Sequence, residues 1–169
     1  MKKYIYLFIT LTIILGSCGE STNTSQSKDQ DSTKVKKSSK IQKVNINALS
    51  TNKFLCCDAH QNQKIVGDRS SAGEWETFTI IKLGGDKVNI KAYTGKFICA
   101  DQKKDNILIA DRDNAGDWET FTMEKLKDDK VAFKASNGKY VCCDQKLKGV
   151  LVANRNSVSE WESFTIINK

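Results

Sequence analysis

The 169 residues include 27 basic and 20 acidic side chains, six cysteines, one histidine and no proline, for a formal net charge of +7. Most of that excess lies before residue 41, and residues 41–169 carry only three more positive than negative groups. That excludes a strongly basic nucleic-acid-binding face. A folded stretch of this size makes one domain rather than a multidomain enzyme, and no apolar run is long enough for a spanning helix.

Residues 1–17 begin with two lysines, continue with an apolar stretch over 4–15 and end on small residues before Cys18. This is the pattern of an export signal rather than of structure. The stretch Leu15, Gly16, Ser17, Cys18 resembles the lipobox of bacterial lipoproteins. The resemblance implies lipidation of Cys18 as the first residue of the mature chain, and an acyl anchor would keep the body in water beside a membrane. The competing reading is an ordinary secretory signal with a chance cysteine. Residues 19–40 are dominated by Ser, Thr, Gln and Lys, with Val35 as the single large apolar side chain. They cannot bury enough surface to offset chain entropy, so 18–40 reads as a lipidated cysteine and a flexible tether.

From residue 41 the sequence aligns with itself at an offset of 43. Trp75, Trp118 and Trp161 recur at that spacing, as do Cys56, Cys99 and Cys142, and Arg69, Arg112 and Arg155. Such self-similarity decides architecture before propensity does. Each unit divides into four short apolar-alternating runs separated by Gly, Asn, Asp and Ser; in the third unit these fall at 130–135, 139–144, 150–153 and 163–168. Three units of four predict twelve strands, an all-β chain with the size and count of a β-trefoil over 41–169. With no proline, turns are expected at Gly84 and Gly85, Thr94 and Gly95, and Asn137 and Gly138.

The passages GKYVCCD, LVANR and EWESFTI of the third unit, with GKFICAD, LIADR and DWETFTM of the second, resemble the fascin-like β-trefoil family. The resemblance covers all of 41–169 and implies that fold. The Gln-x-Trp signature of ricin-type lectin trefoils is missing, and Trp-Glu-x-Phe stands in its place.

Strand alternation puts Leu55, Ile98 and Val141 with Cys57, Ala100 and Cys143 in the core. Cys56, Cys99 and Cys142 fall on the opposite face and are expected to be partly accessible. Five cysteines remain after Cys18, an odd number that cannot all pair; disulfides between units are possible but three-fold equivalent positions tend to be too far apart. Trp75, Trp118 and Trp161 are expected to plug the core or close the barrel end. Arg69 with Glu76, Arg112 with Glu119, and Arg155 with Glu162 recur seven apart and are read as loop braces. No metal site is expected, since Cys56 and Cys57 point to opposite faces and His60 is the only histidine. No cofactor motif is present, and a Cys and His pair lacks a third orienting group.

Positions that differ between units are where ligand contacts are sought. Asp58 and His60, Asp101 and Gln102, and Asp144 and Gln145 offer carboxylate and planar polar groups suited to sugar hydroxyls, against the alternative that the aspartates only hold their own turns. The chain is therefore expected to be a non-catalytic, membrane-anchored module of the bacterial cell envelope, at the outer membrane or cell surface, binding a glycan or polysaccharide. The alternative is a lipoprotein that docks an envelope complex or host protein. Fascin-like trefoils of secreted bacterial proteins often accompany carbohydrate-active enzymes, while eukaryotic members bundle actin. Actin bundling is the weaker reading, because it takes several trefoils in series. An enzyme would need a carboxylate pair in a cleft, whereas Glu74, Glu76, Asp117, Glu119, Glu160 and Glu162 recur in every unit.

Overall fold

The computed structural model describes residues 40–169; the expectations for 1–39, among them the signal, Cys18 and most of the tether, lie outside the described residues. Twelve strands follow one another: β1 (Ile41–Ala48), β2 (Lys53–Asp58), β3 (Lys64–Arg69), β4 (Phe78–Gly84), β5 (Lys87–Lys91), β6 (Phe97–Asp101), β7 (Ile107–Arg112), β8 (Thr120–Lys125), β9 (Lys130–Lys134), β10 (Tyr140–Asp144), β11 (Val150–Arg155) and β12 (Phe164–Asn168). The expected number and order are met, with ends shifted by one or two residues.

Six strands form a closed antiparallel ring. β1 pairs with β4, β4 with β5, β5 with β8, β8 with β9, β9 with β12, and β12 returns to β1, with Ile46 opposite Ile166. Closure leaves no edge in the ring. The other six strands form three hairpins with a common register: Cys56 faces Val66, Cys99 faces Ile109, and Cys142 faces Val152. The hairpins also join one another, through Val150 opposite Val66, Lys64 opposite Ile109, and Val152 opposite Ile107. Three backbone bonds repeat around this junction: Gly67 N–H to Gly149 O, Ala110 N–H to Gln63 O, and Ala153 N–H to Asn106 O, at 2.8, 2.9 and 2.9 Å. A six-stranded barrel capped by a triangle of hairpins is a trefoil-like arrangement.

Inside, Leu55, Ile98 and Val141 meet Phe78, Phe121 and Phe164, all buried as period-two alternation requires. Packing leaves a void of only about 20 Å³ among them, about one water in size and wholly apolar, so it is a packing defect rather than a site. The expected plug was tryptophan. Instead the phenylalanine three residues on fills the core, and Trp75, Trp118 and Trp161 lie half-exposed outside it.

The cysteines need a second correction. Cys56, Cys99 and Cys142 are as buried as Cys57 and Cys143, with no exposed surface. The outer face of the hairpins has its own small core, in which Cys56, Cys142, Val66, Val150 and Val152 lie beneath Trp75, Ile107 and Trp161. Both faces are covered, so alternation alone misassigned the outer one to solvent.

Candidate functional site

Each hairpin tip is built the same way. The strand ends on an aspartate, a single 3₁₀ turn follows, and two residues with positive φ turn the chain into the next strand: Asn62 and Gln63, Asp105 and Asn106, Lys148 and Gly149. Asp58 Oδ1 accepts from His60 N–H at 2.9 Å, Asp101 Oδ1 from Lys103 N–H at 3.0 Å, and Asp144 Oδ1 from Lys146 N–H at 2.9 Å. Aspartate suits this position because its short acceptor reaches its own backbone two residues on.

The second oxygen faces an arginine. Arg69 Nη2 lies 3.3 Å from Asp58 Oδ2, Arg112 Nη2 lies 3.6 Å from Asp101 Oδ2, and Arg155 Nη2 lies 3.1 Å from Asp144 Oδ2. The Nε of each guanidinium lies 3.6 to 3.7 Å from the buried carboxylate of Glu76, Glu119 or Glu162. Those glutamates also accept from the backbone N–H of Gly73, Gly116 and Ser159 at 2.7, 2.8 and 2.9 Å. Every tip is thus tied to the loop that leads into the next barrel strand. The seven-residue Arg and Glu spacing does form a brace across the loop.

Burial pushes the Asp58 carboxyl up, but the hydrogen bonds from Gln61 and His60 and the charge of Arg69 outweigh it, so the group sits below the usual aspartate value. The three aspartates are at most 6% exposed, and their oxygens face their own turns and arginines. A sugar hydroxyl would have to displace those bonds. His60, Gln102 and Gln145 stand exposed beside them, and Gln145 Nε2 already donates to Ser50 O at 3.0 Å.

The five described thiols are buried and unbonded to one another. Burial pushes Cys56 and Cys57 up to about 12 and Cys99 and Cys143 up to about 11, so none holds a thiolate at neutral pH. Among the described residues no group of three His, Cys, Asp or Glu is placed to hold a metal.

Several open depressions lie on the barrel side and around the loops. One of about 590 Å³ runs past Lys43, Glu74, Thr77, Lys91, Tyr93 and Lys169. A second, about 530 Å³, runs past Leu83, Lys87, Asp117, Thr120 and Ser136. A third, about 300 Å³, lies by Arg155, Ser159 and Trp161. Tyr93 was not singled out from the sequence. The signal was there: at its position the other units have Leu49 and Ser136, so the aromatic ring is peculiar to this unit.

The family described as "Domain of unknown function (DUF7910)" matches residues 83–169, just over half of the chain. The chain belongs to that family. No curated protein sequence matches it. Among solved structures, the designed three-fold symmetric protein ThreeFoil is similar at a TM-score of 0.67 and 14% identity, covering 75% of this chain and 99% of its own. SeviL bound to asialo-GM1 saccharide is similar at 0.61 and 12%, covering 76% and 98%. The Polyporus squamosus lectin bound to a human-type influenza-binding epitope is similar at 0.64 and 15%, covering 74% of this chain and 48% of its own. At these identities the likeness shows the fold of the DUF7910 chain, a trefoil-like body shared with lectins.

Proposed function

We propose that the protein is a non-catalytic glycan-binding module of fascin-like type, held by lipidated Cys18 through the tether 18–40 at the envelope of a bacterium, facing outward from the outer membrane or cell surface. The trefoil-like body over 41–169 presents the sugar-contacting groups. The observation that carries this reading is the division of labour at the hairpin tips, on a fold that two solved lectins share with saccharide bound. The buried Asp, Arg and Glu groups serve the scaffold, and the polar tip residues His60, Gln102 and Gln145 are left at the surface. Shallow sites of this kind are weak singly and add through multivalency. Thiols without thiolate character and carboxylates committed to turns support the non-catalytic part of the reading.

The test is retention of the full-length protein on a panel of glycans and insoluble polysaccharides, beside the triple variant His60→Ala, Gln102→Ala, Gln145→Ala. Selective retention that the variant loses by tenfold or more, with its melting temperature unchanged, is the expected result. Retention of nothing in the panel would sink it.

A second reading, docking to an envelope or host protein, has one observation in its favour. Ile41, Leu83 and Ile167, 63, 48 and 42% exposed, stand on β1, β4 and β12, three adjacent strands. Crosslinking on intact cells that traps one protein through this face, and no glycan retention, would favour it.

A further inference from the structure

The first two grooves occupy equivalent places, and a comparison position by position isolates what is special about one of them. Lys43, Glu74 and Thr77 in the first groove correspond, 43 or 44 residues on, to Lys87, Asp117 and Thr120 in the second. These shared groups are a common rim. Two positions depart from it. Tyr93 stands where the second groove has Ser136, and Lys169 stands where it has Leu83, two units earlier in the sequence alignment. Lys91 also lines the first groove.

The substitutions act together. Tyr93 stacks nearly parallel on Trp75, with centroids 6.0 Å apart and planes at 11°, and His60 lies tilted against Trp75 at 5.5 Å. The row runs from a hairpin tip to the groove. At the corresponding places the other units have Lys103 and Lys146 for His60, and Ser136 and Leu49 for Tyr93. Lys43, Lys91 and Lys169 form no ion pair among the described residues. Lys169 Nζ donates to Thr77 Oγ1 at 3.0 Å on the groove wall, and Lys91 Nζ lies 4.3 Å over the Phe97 ring.

We infer that this groove is a subsite for an acidic saccharide, a uronic or sulfated sugar whose ring lies on Tyr93 and whose anionic group meets Lys43, Lys91 and Lys169. The inference rests on the glycan reading and deepens it. A flat aromatic matches the apolar C–H face of a pyranose, and the amines supply the charge that a neutral sugar would leave unused. Thr79 offers a hydroxyl. Glu74 at the same rim accepts from sugar hydroxyls.

The test takes the full-length protein in detergent and measures retention on polygalacturonate, hyaluronan and dextran sulfate. The neutral partners are methyl-esterified pectin, carboxyl-reduced hyaluronan and dextran, with polyglutamate and a single-stranded oligonucleotide as anions without the sugar ring match. The double variant Tyr93→Ser, Lys169→Leu gives the groove its counterpart's residues, which this fold already carries. Expected are a preference of tenfold or more for at least one acidic polysaccharide over its neutral partner, and its loss in the double variant, with a cooperative melting transition showing that the variant is folded. The reverse graft, Ser136→Tyr with Leu83→Lys, should add a second site of the same preference. Retention of neutral and acidic forms alike, unchanged in the double variant, overturns the subsite and leaves the glycan reading standing. Polyglutamate or the oligonucleotide held as tightly as the polysaccharides overturns it in favour of plain charge. If no saccharide is retained, both readings fall.

Discussion

The three Asp, Arg and Glu braces and the grooves beside them face the same solvent, yet they are built to opposite rules. Around the braces, distances repeat to within half an ångström from one hairpin to the next, and even the loop hydroxyls agree: Thr77, Thr120 and Ser163 donate to Gly73, Gly116 and Ser159 carbonyls at 2.7, 2.8 and 2.7 Å. Around the grooves, the same frame carries tyrosine in one place and serine in another. Residues whose bonds are part of the architecture cannot vary between units without loosening a hairpin. Residues outside those bonds, such as Tyr93 at the edge of the core, are free to specialise, which makes difference between units a better guide to ligand contacts than recurrence.

The sharpest way to break the comparison is to strike the part both regions stand on. Phe121→Ala should cost about 3–5 kcal/mol, since its side chain is fully buried at the barrel centre beside a void that cannot collapse, and urea unfolding would read this as a lower midpoint. Glu162→Ala removes an acceptor that is 2% exposed and strands the N–H and hydroxyl of Ser159, while Arg155 keeps its contact with Asp144. It is expected to cost about 2–3 kcal/mol, while Arg155→Ala, whose head is about a third exposed, should cost no more than about 1 kcal/mol. Equal losses from the two variants would show that the brace is a symmetric ion pair rather than a buried acceptor.

Gly67 tests how finely the units are fitted. A Cβ there would lie 2.7 Å from Cys143 Sγ, so Gly67→Ala should cost about 1–3 kcal/mol. Adding Cys143→Ala, the residue found at Ala100 in the second unit, should recover most of that loss, and a thermodynamic cycle without coupling would refute the contact. A small effect is expected at Asp58. Asp58→Ala should cost about 1 kcal/mol at pH 7 through its turn bonds. Because its folded carboxyl lies below the ordinary value, the stability it contributes is present above pH ~4 and is lost as the pH falls through the folded value. The gap between native and variant should therefore narrow below pH ~4, and a gap that stays constant into acid would show that the charge plays no part.

Strand count and order were legible because period-two alternation and the spacing of 43 reinforce each other over the whole of 41–169. The cysteine faces were not, because alternation separates two faces without saying whether the second is covered. Here Trp75 and Trp161 cover it, each arriving from the loop six residues past the end of its hairpin. The αL pairs at the tips were half legible: Asn62, Asp105 and Asn106 are residues that tolerate positive φ, whereas Lys148 carries no such signal. The aspartates show the same limit in the site. One sequence pattern fits both a turn holder and a sugar ligand, and only the arginine arriving from the next strand decides which oxygens remain free.

The ring closes where the two ends of the folded body meet, with Val44 opposite Asn168 and Lys169 N–H bonded to Lys43 O at 3.2 Å. In kinetic terms, the first strand to leave the ribosome cannot complete its pairing until the last one arrives. β1 and β9 each wait with an open edge, and a contact map so rich in distant partners folds slowly. A chain shortened by its final strand would hold those edges open permanently, so a frameshift near residue 163 should yield an aggregating product rather than a slightly weaker barrel.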